Sequence, residues 1–174
     1  MALHTKFPTN PYEILQPDYR WFPADESLRE KTYQKLLPPL VDKIRKEVKL
    51  FRDSGYKGAS KTSRNLLKYW FQTDKNINGQ DFKYYFAQRE SIETLVYLIE
   101  VAKIESKHDL LKYSSTDELE ENMFEENWIR LVIKMATGSG KTKVLSLVIA
   151  WSYFNRLYEN DKKYSRNFIL IAPN

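Results

Sequence analysis

The residues with the most specific chemistry stand together at Met135-Ala136-Thr137-Gly138-Ser139-Gly140-Lys141-Thr142. Gly138 and Gly140 lack a Cβ, so the backbone there can turn tightly and come close to a polyanion. If a helix opens at Lys141, the amides from Ser139 to Thr142 point at that anion from a helix N-terminus, where the peptide dipoles favour negative charge. Lys141 then reaches the β- and γ-phosphates of a nucleotide, and the Thr142 hydroxyl sits on Mg²⁺. The strict pattern has glycine where Met135 stands, so one element departs while the Gly-x-Gly-Lys-Thr core remains. The bland alternative is a surface turn that happens to contain lysine and threonine. The flanks argue against it.

Those flanks are the elements that must position the loop. Before it, Leu131-Val132-Ile133 is an apolar run suited to a buried strand. After it, Lys141 to Leu157 predicts a helix that is apolar nearly all round, with Val144, Leu145, Leu147, Val148, Ile149, Trp151 and Phe154. Such a helix is expected between layers, packed on a parallel sheet. Asn167 to Ala172 is a second apolar run, stopped by Pro173. Strand, helix and strand make one right-handed crossover unit.

Upstream, Asp81 to Lys103 predicts a helix with Phe86, Ile92, Leu95, Val96 and Ile99 as its buried stripe. Gln88 lies near its start. A carboxamide can pair with the N6 and N7 edge of adenine, accepting one hydrogen bond and donating another. A plain surface glutamine is the alternative.

Residues 1–25 are rich in proline and aromatics and predict an extended arm. Ser27 to Asp53 predicts two helices split at Pro38-Pro39, the second with an apolar stripe through Leu37, Leu40, Val41, Ile44, Val48 and Phe51. Its other face carries Lys43, Lys46, Lys49 and Arg52, with Arg45 nearby; a solvated face is preferred over a contact surface for nucleic-acid phosphates. Gly55 to Ser63 predicts a loop able to form an anion nest, but without a preceding strand it is no nucleotide site. Thr62 or Ser63 is expected to cap a helix from Arg64 to Phe71. Thr73 to Gln80 reads as a polar connector with a turn at Asn78-Gly79, and Ser106 to Asn127 as an acidic, solvated one.

The 174-residue chain is 42% hydrophobic and 29% charged, a composition for a folded rather than a disordered chain. Its charge of +5 is compatible with nucleic acid without arguing for it. With no cysteine and two histidines, disulfides and thiolate metal sites are excluded and a histidine-rich one is not expected. No secretory leader or membrane-spanning run is visible, so a cytoplasmic protein without membrane contact is expected.

Three segments together carry a resemblance: Phe86-Ala87-Gln88-Arg89-Glu90-x-Ile92, Met135 to Thr142, and Phe168-Ile169-Leu170-Ile171-Ala172-Pro173-Asn174. They resemble the glutamine-containing adenine motif, motif I and motif Ia of superfamily 2 helicases, in particular the Type III restriction enzyme Res subunit class. The resemblance implies an α/β fold: a partial RecA-like phosphate-loop domain over residues 81–174, preceded by an N-terminal arm and mainly helical region over residues 1–80. It implies ATP and Mg²⁺ as cofactors. Gln88, Thr137, Gly138, Ser139, Gly140, Lys141 and Thr142 would bind the nucleotide, Lys141 and Thr142 being catalytic and Thr142 holding the metal. Pro173 and Asn174 would touch the nucleic-acid backbone.

The implied function is the N-terminal part of an ATP-dependent DNA helicase or translocase subunit of a restriction system. Its partners would be DNA, the rest of the motor, and nuclease or methyltransferase subunits. The family's later acidic pair and second RecA-like domain are not among these residues, so this chain alone is expected to be inactive in hydrolysis. The alternative is a non-enzymatic module that binds nucleotide or DNA.

Overall fold

The computed structural model describes residues 40–106, 108–113 and 131–171. The expected arm at 1–25, the helix before Pro38, most of the acidic connector, and Pro173 with Asn174 lie outside the described residues.

The order is α1 (Val41–Asp53), α2 (Lys61–Gln72), β1 (Lys75–Ile77), β2 (Gln80–Phe82), α3 (Phe86–Val96, running on as a π-helical turn Tyr97–Val101), the short α4 (His108–Leu111) and α5 (Lys141–Tyr158). Helix α3 is central and packs against α1, α2 and α5; α2 also packs against α5. Each helix offers apolar residues at spacings of three, four or seven to a shared core. Val48 and Phe51 come from α1, Leu67, Trp70 and Phe71 from α2, Ile92 and Val96 from α3, and Val144, Leu147 and Trp151 from α5. Fully burying a residue such as Leu67 or Ile92 contributes about 1.5–3 kcal/mol.

Local chemistry explains the boundaries. Helix α2 starts at Lys61, because Ser60 is its cap: the Ser60 Oγ accepts from the Ser63 amide at 2.9 Å. The expected caps Thr62 and Ser63 lie in its first turn instead. The expected connector at 73–80 is largely a hairpin, with Lys75 opposite Phe82 and Ile77 opposite Gln80. Asn78 and Gly79 both have positive φ, 53° and 81°, the two-residue turn whose twist suits antiparallel strands.

Two expectations change. Helix α5 is buried along one face only, through Val144, Leu147, Trp151 and Asn155, while Leu145, Tyr153, Leu157 and Tyr158 are exposed. Residues 131–136 and 167–171 join no strand ladder. Val132 is 83% exposed, Ile169 89% and Ile171 92%. A strand cannot satisfy its own backbone and needs a neighbour to bond with. Neither run pairs with a strand among the described residues, which form a two-stranded antiparallel sheet and not the expected parallel pair.

Two buried carboxylates on α3 tie the helices together. Glu93 has no exposed surface. Its Oε1 accepts from Arg89 Nε and from the Tyr56 hydroxyl, both at 2.7 Å, and its Oε2 accepts from Arg52 Nε at 2.7 Å. Arg52 Nη2 lies 2.6 Å from that same oxygen without hydrogen-bond alignment, an ion-pair contact that leaves this buried nitrogen with no hydrogen bond. Burial, reinforced by the Glu93 charge, holds the Tyr56 phenol well above its ordinary range, so it remains a donor.

Glu100 sits in the π-helical turn. It accepts from the Ser63 hydroxyl, from Trp151 Nε1 at 3.0 Å and from the Tyr164 hydroxyl at 2.7 Å, while its other oxygen accepts from the Ser60 amide at 2.6 Å. The Thr62 amide and hydroxyl donate to Glu159 at 2.8 and 2.7 Å. The amides at the end of the 55–63 loop thus do receive anions, and these are the chain's own carboxylates.

The basic face expected on α1 is also partly spent. Arg52 goes to Glu93, Arg45 to Glu90 at 3.2 Å and Lys49 to Asp53 at 3.1 Å.

Candidate functional site: a glycine turn at the start of a long helix

Residues 137–139 turn the chain into α5, and Gly140 is the helix cap at φ 81°, ψ 41°, a left-handed conformation that costs side-chain-bearing residues energy. Gly138 also has positive φ, 77°, and a Cβ there would point into open space. Within the turn, the Ser139 amide donates to the Ala136 carbonyl at 3.3 Å, and the Ser139 hydroxyl donates to the same oxygen at 2.6 Å. The helix then closes on the Gly140 carbonyl, which accepts from the Lys143 and Val144 amides.

The amides of Gly138, Gly140, Lys141 and Thr142 have no acceptor among the described residues. Thr137, Gly138, Lys141 and Thr142 are exposed. Lys141 folds back over the turn, and its Nζ donates to the carbonyls of Ala136 at 3.2 Å and Met135 at 3.4 Å. Amides without an acceptor among the described residues, the positive end of an eighteen-residue helix and the Lys141 ammonium converge here. The residues fit an anionic group with several oxygens, and the Thr142 hydroxyl fits an oxygen ligand for a hard cation that such a group brings.

Gln88 reaches this turn from 51 residues upstream. It lies in the first turn of α3 and is 5% exposed. Its Oε1 accepts from the Tyr85 amide at 3.0 Å, satisfying a free donor at the helix start. Its Nε2 donates to the Ser139 carbonyl at 3.0 Å. A Cβ at position 140 would sit 2.2 Å from that nitrogen, so glycine is what admits the carboxamide. The hairpin adds a further contact, with Lys143 Nζ lying 5.6 Å from the centre of the Phe82 ring.

The structure therefore brings together Gln88, Thr137, Gly138, Ser139, Gly140, Lys141 and Thr142 at the start of α5. The positioning carboxylates Glu93 and Glu100 went unread in the sequence. Their signal was available: both stand seven residues apart inside the apolar stripe of α3, where an acid needs internal partners. Among the described residues, no three His, Cys, Asp or Glu side chains are grouped to hold a metal by themselves, and no helix is long and apolar enough to cross a membrane.

A glycine turn feeding an open helix N-terminus, with lysine and threonine at its mouth, has the donors and the charge to suit an anion such as a phosphate. Comparison with known proteins is more specific: the model of the family described as Type III restriction enzyme, res subunit, matches residues 82–174. The match spans more than half of the chain, which belongs to that family. Membership points to a helicase-like, ATP-dependent function in a restriction system. No curated protein matches the chain significantly, and no solved structure does.

Proposed function

We propose that this chain supplies the nucleotide-binding portion of an ATP-dependent DNA helicase or translocase subunit of a restriction-type system. The observation that carries the reading is the Gln88–Ser139 hydrogen bond, which joins two separate sequence motifs at one helix N-terminus inside the matched family region. In this reading the free amides of Gly138, Gly140, Lys141 and Thr142 bind the phosphates of Mg-ATP. Lys141 leaves the carbonyls of Met135 and Ala136 for the β- and γ-phosphates. Thr142 ligates Mg²⁺, and Thr137 and Ser139 shape the turn. Gln88 keeps one N–H and one lone pair beyond its two internal bonds, which suits the adenine edge. The functional division falls near residue 80, with a helical region before it and a RecA-like ATP-binding domain from 81 onward; the family match beginning at residue 82 supports that boundary. DNA is the proposed partner, contacted around Pro173 and Asn174, together with other subunits of the restriction system.

The test is Mg-ATP binding by calorimetry for the wild type and Lys141→Ala. Removing the loop's ammonium is expected to lower affinity at least tenfold, in line with about 1.5–3 kcal/mol for a hydrogen bond to a charged group. Equal affinity for the two proteins overturns the assignment.

A further inference from the structure

We infer that the outer face of α2 is a contact surface for the phosphate backbone of duplex DNA. The inference rests on DNA as the chain's partner and adds a second surface to the one proposed around Pro173 and Asn174.

From Ser54 to Thr73 the chain carries Lys57, Lys61, Arg64 and Lys68 and no Asp or Glu. Lys61, Arg64 and Lys68 follow one another at spacings of three and four, so they share one stripe of the helix. All four cations are exposed. The opposite side of α2, with Ser63, Leu67, Trp70 and Phe71, is buried, so the stripe faces away from the core.

Helix stability does not explain this stripe. The first turn of α2 has no acid and the last turn no cation. Lys61, and Arg64 one turn on, therefore stand toward the positive end of the helix dipole, where a cation is disfavoured. None of the four side chains forms a hydrogen bond or a contact ion pair among the described residues. Glu159 is near enough to feel the charges of Lys61 and Arg64, but its hydrogen bonds go to Thr62. The cations of α1 are differently placed. Arg45, Lys49 and Arg52 pair with Glu90, Asp53 and Glu93, and Lys43 and Lys46 have interactions of their own.

The dimensions suit a duplex. At 1.5 Å per residue, Lys61 to Lys68 spans about 10 Å, the axial rise of about three phosphates on one DNA strand. Asn65 and Tyr69, beside the stripe and both exposed, add the polar side chains that commonly bond to phosphate and sugar oxygens. Single-strand binding instead needs several rings on which bases stack, and α2 exposes only Tyr69, at 58%. A lipid surface needs a free apolar face, whereas Leu66, Leu67, Trp70 and Phe71 are packed in the core.

The experiment follows a short labelled DNA duplex by fluorescence anisotropy across a salt series, with the full chain. It compares wild type, the triple variant Lys61→Gln, Arg64→Gln, Lys68→Gln, and a charge-matched α1 variant, Lys43→Gln, Lys46→Gln, Lys49→Gln. The α2 variant is expected to bind roughly tenfold or more weakly and to flatten the slope of log affinity against log salt by about 2–3, near 0.9 for each phosphate lost. The α1 variant should keep its slope within about one of wild type. Equal losses in both variants overturn the surface in favour of net charge alone, and wild-type binding by the α2 variant places the DNA elsewhere. Tighter binding of the single strand than of the duplex, or competition by polyglutamate as effective as by unlabelled duplex, also overturns it. A wild type that binds no DNA removes both this surface and DNA as the partner, while Mg-ATP binding still reads the nucleotide site separately. Thermal midpoints check folding, and if the triple variant does not fold, Arg64→Gln and Lys68→Gln are measured singly, each expected to flatten the slope by about one.

Discussion

Glu100→Ala is the substitution whose cost follows most directly from the structure. The carboxylate accepts from four donors: the Ser60 amide, the Ser63 hydroxyl, Trp151 Nε1 and the Tyr164 hydroxyl. Trp151 Nε1 keeps a partner in the mutant, because it also lies 2.8 Å from Ser63 Oγ. The other three lose their acceptor. A buried donor left unpaired costs about 1–3 kcal/mol. Removing the anion also relieves its own desolvation, and hydroxyls can rotate, both of which trim the sum. The expected loss is about 2–4 kcal/mol, against total stabilities of about 5–15 kcal/mol. For a chain of this size each kcal/mol moves the midpoint by about 2–4 °C, so Tm falls by roughly 4–16 °C. Urea unfolding followed by tryptophan fluorescence reads this directly, since Trp70 and Trp151 are both buried. The slope m should be unchanged while the midpoint shifts. A loss below about 1 kcal/mol would refute the view that Glu100 holds α2, α3 and α5 together, since one stranded donor alone should cost that much.

Gly140→Ala forces a side chain into φ 81° and places its Cβ 2.2 Å from Gln88 Nε2; stability should fall by about 1–2 kcal/mol in chemical denaturation, with Mg-ATP affinity falling too. Wild-type values for both would mean that the turn does not need this shape. Glu93→Gln leaves Arg52 and Arg89 buried without their shared anion and should cost about 3–5 kcal/mol in the same assay, whereas Lys49→Ala, breaking an exposed pair with Asp53, should cost under about 1 kcal/mol. The Glu159 carboxyl is held below its ordinary 4.5 by the hydroxyl and then the amide of Thr62. A depressed folded value means the contact stabilises fully above the unfolded pKa and is lost as pH falls through the lower folded one. Carbon-detected NMR titration should place Glu159 below 4.5; a value at or above 4.5 excludes the cap.

What the sequence determined was local. Gly138, Gly140, Lys141 and Thr142 announce a turn into a helix because glycine alone tolerates positive φ cheaply and because apolar residues recur at helical spacing after it. Gln88 was legible as a polar residue with a task near the start of a helix. Asn78-Gly79 marked a turn but not the hairpin around it, since strands of three residues carry too little alternation to read. The apolar runs at 131–133 and 168–171 showed strand character, yet strand pairing needs a partner that periodicity cannot name.

Tertiary structure decided the rest. Only folding shows that Gln88 meets Ser139 across 51 residues, and that Ser60 and Thr62 meet the carboxylates of Glu100, in the π-helical turn after α3, and Glu159, just past the end of α5. It also decided which face of α5 is covered: Val144, Leu147 and Trp151 turn toward α2 and α3, although the helix is nearly as apolar on its other side. The physical reason is the same in each case. Backbone preference and helix period act over a few residues and are written in the order of the chain. A buried carboxylate or carboxamide instead takes whichever donors the packed helices bring within about 3 Å, and sequence order does not record that distance.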